Sequence, residues 1–169
     1  MICWPSHSRR PIAIVALLAA LAATTPLHAE EPRPAAVLPF ELLDTSGEGS
    51  KPGQAERLAL ATRTLTQILE QSGRYRAVDL APFADEIAAT EPRYRCDGCW
   101  QMVAKKAGAA VVVVAVVHKV STLISTMDIR IADLASETFI AHAQGQIRGD
   151  TDTAYVRGVQ FLAERLLAK

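Results

Sequence analysis

The chain has 169 residues, half of them apolar and 5% aromatic, with 18 basic residues balanced by 18 acidic ones. That length supports one domain with a packed core and is too short for two comfortable ones. Lys and Arg are dispersed along the chain, which excludes a binder of nucleic-acid backbones, since such a binder gathers them on one face.

Residues 1–29, MICWPSHSRRPIAIVALLAALAATTPLHA, carry the three parts of an export signal: Arg9 and Arg10, an apolar run over 12–23, and Ala29 before the expected cut. An apolar run of about 12 residues falls short of the roughly 20 that cross a bilayer. The segment therefore reads as a cleaved signal peptide, and the remainder as a secreted, periplasmic protein with no stable membrane span. Leu27 stands where a smaller residue is usual, so retention as an anchor is the alternative. Pro11 and Ile12 after the arginine pair fit ordinary secretion better than twin-arginine export. Removing 29 of the 169 residues leaves a single domain over 30–169. Loss of Arg9 and Arg10 takes the 18 basic residues to 16 against 18 acidic, a net charge near −2.

Within that domain, the apolar run AAVLPFELL at 35–43 is too short for a helix and predicts a buried first strand, with Pro39 at a bulge or edge. DTSGEGSKPG follows as a loop; it lacks the spacing of a phosphate-binding GxxxxGK[ST] motif. From 54 to 72, Leu58, Ala61, Leu65, Ile68 and Leu69 recur at helical spacing, and Gly73 stops the helix. Residues 75–80 read as a short strand and 83–89 as a short helix after Pro82. Trp100, Val103, Ala104 and Ala107 mark another helix, with Cys99 at its start and Cys96 just before it.

The run AAVVVVAVV at 109–117 predicts a strand buried on both faces. Over 123–134, Ile124, Thr126, Asp128 and Arg130 alternate with Leu123, Ser125, Met127, Ile129 and Ile131, so one face is buried and one wet. Residues 138–147 form a further strand, and the three make an antiparallel meander. Asp150 or Asp152 then caps a last helix whose stripe is Tyr155, Val159, Leu162 and Leu166. The order βαβααβββα implies an α/β fold: a mixed sheet of about five strands with helices packed on it.

Three pieces, the opening AAVLPFELLDTSG, the central CDGCWQMVAKKAGAAVVVVAVVHKVSTLI and the closing IRGDTDTAYVRGVQFLAERLL, resemble the small secreted bacterial proteins of domain of unknown function 2380. More distantly, the "VLPF" strand and the valine-rich strand after a helix are similar to the amino-terminal domain of the periplasmic TolB protein and to curli-secretion-like α/β domains. The resemblance implies that fold, that compartment and, by analogy, a non-enzymatic envelope role.

Cys96 and Cys99 are the only thiols left once Cys3 departs with the signal, and in an oxidising compartment the pair fits a disulfide. Closing so small a loop stabilises by about 2 kcal/mol on the chain-entropy estimate. Two other uses remain open. A thiolate near a helix start is reactive, which points to a redox pair, although a charged loop at 91–95, where thioredoxin-like motifs have a strand, precedes it. Zinc needs two more ligands, for which only His118 and His142 stand as candidates on separate strands. Haem attachment is excluded because Trp100 stands where His is required. Trp100, Lys119, Ser121, Asp128, Arg130 and Arg148 form a possible interaction surface, the plainer reading being a solvated sheet face whose charges block edge pairing. Helix capping accounts for Asp150 and Asp152 more simply than a metal does.

With no nucleophile and base at strand ends and no tuned carboxylate pair, the sequence predicts a periplasmic accessory or binding protein without cofactor or metal. Its partner is an envelope protein or small ligand. The alternative is a thiol-redox accessory of periplasmic electron-transfer metabolism using Cys96 and Cys99.

Overall fold

The structure, a computed structural model, describes Met1 and residues 30–168 apart from positions 50 and 97. The expected export signal and its cut after Ala29 lie outside the described residues. The elements in chain order are β1 (Arg33–Val37), β2 (Glu41–Asp44), α1 (Gln54–Gln71), β3 (Tyr75–Ala77), α2 (Ala84–Ala88), α3 (Gln101–Lys106), β4 (Val111–Lys119), β5 (Ile124–Asp133), β6 (Thr138–Arg148) and α4 (Asp152–Leu167). Short 3-10 turns fill Ala81–Phe83 and Arg93–Arg95. The strands form one mixed sheet in the order β3-β1-β4-β5-β6, with β2 also on β4. β1 runs parallel to β3 and β4, and β4, β5 and β6 form the expected antiparallel meander.

Pro39 divides the predicted first strand in two. Val37 lies opposite Val113 and Glu41 opposite Val116, so the first chain advances one residue more than β4 and bulges between them. Leu38 N–H still reaches Val113 O at 3.0 Å, whereas Phe40 N–H turns to Thr62 Oγ1 on α1, also at 3.0 Å. A proline has no N–H to offer a ladder, so the break falls where the chain loses nothing by leaving it. The strand predicted over 75–80 likewise pairs only over Tyr75–Ala77 before Pro82 begins a 3-10 turn. The cap of α4 is neither Asp150 nor Asp152. Thr151 Oγ1 accepts the N–H of Ala154 at 3.2 Å, with Asp152 beginning the helix and Asp150 turned inward.

The route of the chain decides which face each helix covers. Passing from β1 out to β3 lays α1 on one face, and passing back over β1 to β4 lays α2 and α3 on the other, as right-handed crossovers in opposite directions require. The first face carries the larger core: Ala61, Leu65 and Leu69 of α1 and Tyr155, Val159, Leu162 and Leu166 of α4 pack on Val111, Val113, Val117, Met127, Ile129 and Ile131. Burying each large aliphatic there stabilises by about 1.5–3 kcal/mol before entropy is counted. α4 approaches so closely that a Cβ on Gly158 would stand 2.5 Å from Ile147 Cγ2. The second face holds a smaller core in which Ile87, Trp100, Val103 and Ala104 cover Ala36, Leu38, Val112, Ala132 and Leu134. Among the described residues no helix is long and apolar enough to cross a membrane.

Candidate functional site

α2 and α3 cover only part of the second sheet face. Beyond them, strand register lines up Glu41, Val116, Asp128 and Gln144 in one row across β2, β4, β5 and β6, with Val114, Arg130 and His142 in the next. Residues two apart on a strand share a face, so both rows point to the same open side.

One wall is the segment that carries the cysteines, held down by a residue the sequence reading left inside a charged loop. Arg93 has a side chain only 3% exposed. Its Nη2 donates to Pro39 O at 3.0 Å and its Nη1 to Ile87 O at 3.2 Å, while its backbone N–H donates to Glu41 Oε1 at 2.9 Å. The Glu41 carboxylate also pairs with the guanidinium at 3.4 Å. A buried arginine with both charge and hydrogen bonds met fixes its loop, because any displacement strands a charge out of water. The Cys96 and Cys99 sulfurs lie at disulfide distance, closing the same loop. Cys99 is exposed and α3 begins only at Gln101, so the motif precedes the helix by a turn.

Between this wall and the meander lies a groove of about 170 Å³. Glu41 and Arg93 close one end, Val114 and Val116 make the floor, Trp100 stands on the cysteine wall, and Phe139, Asp128 and Arg130 line the groove from the meander. Asp128 is nearly buried and saturated: Oδ1 accepts Arg130 Nε at 2.8 Å and Oδ2 faces His142 Nε2 at 2.7 Å. The Arg130 guanidinium lies 5.6 Å from the Phe139 ring centre, and Phe139 meets Trp100 at 6.2 Å. The charges lining the groove are thus paired, and among the described residues the aromatic faces, the terminal nitrogens of Arg130 and Oε2 of Glu41 carry no hydrogen bond.

Cys96, Trp100, Asp128 and Arg130 therefore come together, and Lys119, Ser121 and Arg148 do not join them. Lys119 is 1% exposed and so is no part of a surface. Its ammonium sits among Asp150 at 3.4 Å, Glu48 at 3.6 Å and Asp44 at 3.8 Å, on the side of α1 and α4. β-strand alternation explains the reversal: the last residue of β4 shares its parity with Val113 and Val117 and points to the main core. Arg57 Nε stands 3.1 Å from Asp150 Oδ1 but out of line for a hydrogen bond, so the cluster is held by charge. Hydrogen bonds from Ser46 hold the Asp44 carboxyl below its usual range, and the Thr122 N–H does the same for Glu48. Ser121 Oγ accepts the N–H groups of Leu123 and Ile124 and shapes the β4–β5 turn. Arg148 ends β6, away from the groove.

His118 bonds Thr45 Oγ1 at 2.8 Å and His142 bonds Asp128, so neither is directed to the cysteine sulfurs, which face each other. Among the described residues no three His, Cys, Asp or Glu side chains are grouped to hold a metal. Sequence reading missed Glu41, Arg93, Phe139 and His142 as members of the site. Phe139 carried a signal, a large aromatic on a strand otherwise built of small and polar residues.

No curated protein matches the chain in sequence. Among solved structures, the LpoB C-terminal domain from Escherichia coli is similar at 17% identity and a TM-score of 0.50, covering 68% of this chain and 82% of that one. Lipoprotein GNA1162 from Neisseria meningitidis is similar at 11% identity and a TM-score of 0.52, covering 82% of this chain and 100% of that one. TolB from Acinetobacter baumannii is more distant, at 10% identity and a TM-score of 0.43, covering 80% of this chain and 29% of that one. The likenesses to the LpoB domain and to GNA1162 show a shared fold. Residues 33–167 match the family described as "Protein of unknown function (DUF2380)", and the chain belongs to that family.

Proposed function

We propose that this chain is a periplasmic accessory module that binds an envelope partner or a small ligand through the groove, without chemistry of its own. The observation that carries the reading is the convergence of Trp100, Phe139, Arg130 and the disulfide-closed wall on an open sheet face whose buried charges already neutralise one another. Such a surface offers aromatic area and an arginine, the residue types that dominate binding energy at interfaces. The export signal read at residues 1–29 and the fold shared with a lipoprotein support the compartment.

The test is capture of a partner from the envelope fraction by the full chain, repeated with Arg130→Glu plus Phe139→Ala. Loss in that variant, with capture kept by Phe161→Ala on the opposite side, supports the groove. Equal capture by all three refutes it. A second reading, thiol redox work, draws on the exposure of Cys99 beside the groove. It requires a reduction potential above about −300 mV, since inert structural disulfides lie below that value.

A further inference from the structure

The groove has two poles that the chain itself leaves open. Glu41, 9% exposed, commits Oε1 to Arg93, while its Oε2 has no hydrogen-bond partner among the described residues. At the other side Arg130, 46% exposed, commits Nε to Asp128, while Nη1 and Nη2 have no polar partner among the described residues. The two residues stand on β2 and β5, each beside β4. Their backbones are two strand spacings apart across the sheet and, because Glu41 lies opposite Val116 and Arg130 opposite Val114, two residues apart along it, about 12 Å in all. The floor between them is apolar, made by Val114 and Val116, with Trp100 and Phe139 beside it.

Resting on the reading of the groove as the binding site, we propose that its ligand is a short zwitterion of dipeptide length, with the ammonium on Glu41 Oε2 and the carboxylate on the Arg130 guanidinium. Charge decides against a simple ion. Among the described residues each acidic side chain that lines the groove already has an arginine partner, so these side chains offer no net attraction for a lone cation or anion. A lone ion also leaves the opposite pole stripped of water with nothing in return. Length favours a dipeptide over a single amino acid, given the backbone separation that register sets between Glu41 and Arg130. Two extended residues span about 7 Å, and the side chains of Glu41 and Arg130 close the remainder. Volume sets the upper limit: about 170 Å³ lies below the roughly 300 Å³ at which sites for larger organic ligands begin. The Arg130 guanidinium lies 5.6 Å from the Phe139 ring centre with Nη1 and Nη2 uncommitted among the described residues, and a guanidinium with two free nitrogens suits a two-point contact with a carboxylate.

The test uses the full chain and three probes: L-alanyl-L-alanine, its N-acetyl form and its C-terminal amide, titrated while NMR shifts of the Trp100 indole and the Val114 and Val116 amides are followed. The free dipeptide is expected to saturate these signals at millimolar concentration or below, and each capped form to bind about tenfold or more weakly, the loss typical of one charged hydrogen-bonded contact. Arg130→Gln should weaken the free dipeptide to the level of the amide and leave the amide unchanged. Glu41→Gln keeps the Oε1 acceptor for Arg93 and should do the same for the N-acetyl form. Equal binding of free and capped probes overturns the proposal, as does the absence of saturation by the free dipeptide. If the dipeptide fails while the groove variant still loses its envelope partner, the ligand class is wrong and the groove stands. If both fail, the groove itself is wrong.

Discussion

Replacing Arg93 with Met keeps the aliphatic stem and removes the guanidinium, which exposes how much of the groove wall depends on one buried charge. The variant loses the bonds to Pro39 O and Ile87 O and leaves Glu41, 9% exposed, without its cation. Breaking a buried pair from one side costs about 3–5 kcal/mol, most of it the penalty of the stranded partner. The contact with Glu91, which is 56% exposed, adds little in water. For a domain of about 140 residues, unfolding entropy near 2.1 cal/mol/K per residue converts this into a fall in Tm of roughly 10–17 °C. Adding Glu41→Gln to Arg93→Met removes the stranded charge and keeps an acceptor for the Arg93 N–H, so about 2 kcal/mol should return. Urea unfolding followed by circular dichroism reads all four corners of the cycle. A loss under about 1 kcal/mol for Arg93→Met, or a double variant no better than the single, would refute the account of the wall.

Gly158→Ala gains about 1 kcal/mol of helix propensity but forces a Cβ to 2.5 Å from Ile147 Cγ2. Overpacking of about 1–3 kcal/mol should win, giving a net loss that Ile147→Ala relieves in the double variant. Thr151→Ala should cost about 1 kcal/mol in urea unfolding through the lost cap of α4, and Asp152→Ala clearly less. Lys119→Met should cost about 2 kcal/mol, short of a full pair loss because Arg57 remains beside Asp150; an unchanged midpoint contradicts the buried hub. Asp133 is held down from 3.8 to about 2 by hydrogen bonds from Ser136 and Arg33. Because its folded pKa is depressed, its contribution is complete above about pH 4 and vanishes as pH falls through about 2. The Tm gap between wild type and Asp133→Asn should therefore be full at pH 6 and closed at pH 1.5, and a gap that persists at pH 1.5 refutes the assignment.

What the sequence disclosed and what it hid divide by range. Local period found α1, the meander and α4, because Leu65 and Leu69 or Met127 and Ile129 state their own geometry within a few residues. The same parity, carried a little further, contradicts Lys119 as a surface residue: it lies two residues beyond Val117, on the face that packs under α1 and α4. The groove was only half visible. Asp128 and Arg130 share a strand and could be paired on paper, whereas Phe139 and His142 meet them through the β5–β6 register, Glu41 through the pairing of β2 with the distant β4, and Arg93 from a 3-10 turn. Pairing of that kind depends on the bulge at Pro39, which the proline itself signals, and on the shift between Ile131 and Ala132, which has no signature in the amino-acid pattern.

Which face is open does follow from lengths alone. α1 and α4 have 18 and 16 residues, about 27 and 24 Å at 1.5 Å per residue, enough to cover most of the length of the 9-residue β4, about 30 Å. α2 and α3 have 5 and 6 residues, each under about 10 Å. The segment between β3 and β4 must return across β1 on the second face, yet it contributes too little helix to cover β4, β5 and β6 there. Had those strands been apolar on both sides, the uncovered half would expose Val and Ile to water. Glu41, Asp128, Arg130, His142 and Gln144 occupy the positions instead, each on the parity that faces out. A chain that only needed solubility at this face would serve with mobile, separated charges. Here the carboxylates are nearly buried and locked to partners at 2.7–2.9 Å, with an aromatic pair beside them. Ordering such side chains costs conformational entropy that a plain wet surface does not incur, and that cost is what supports the proposal that this face binds a ligand or partner.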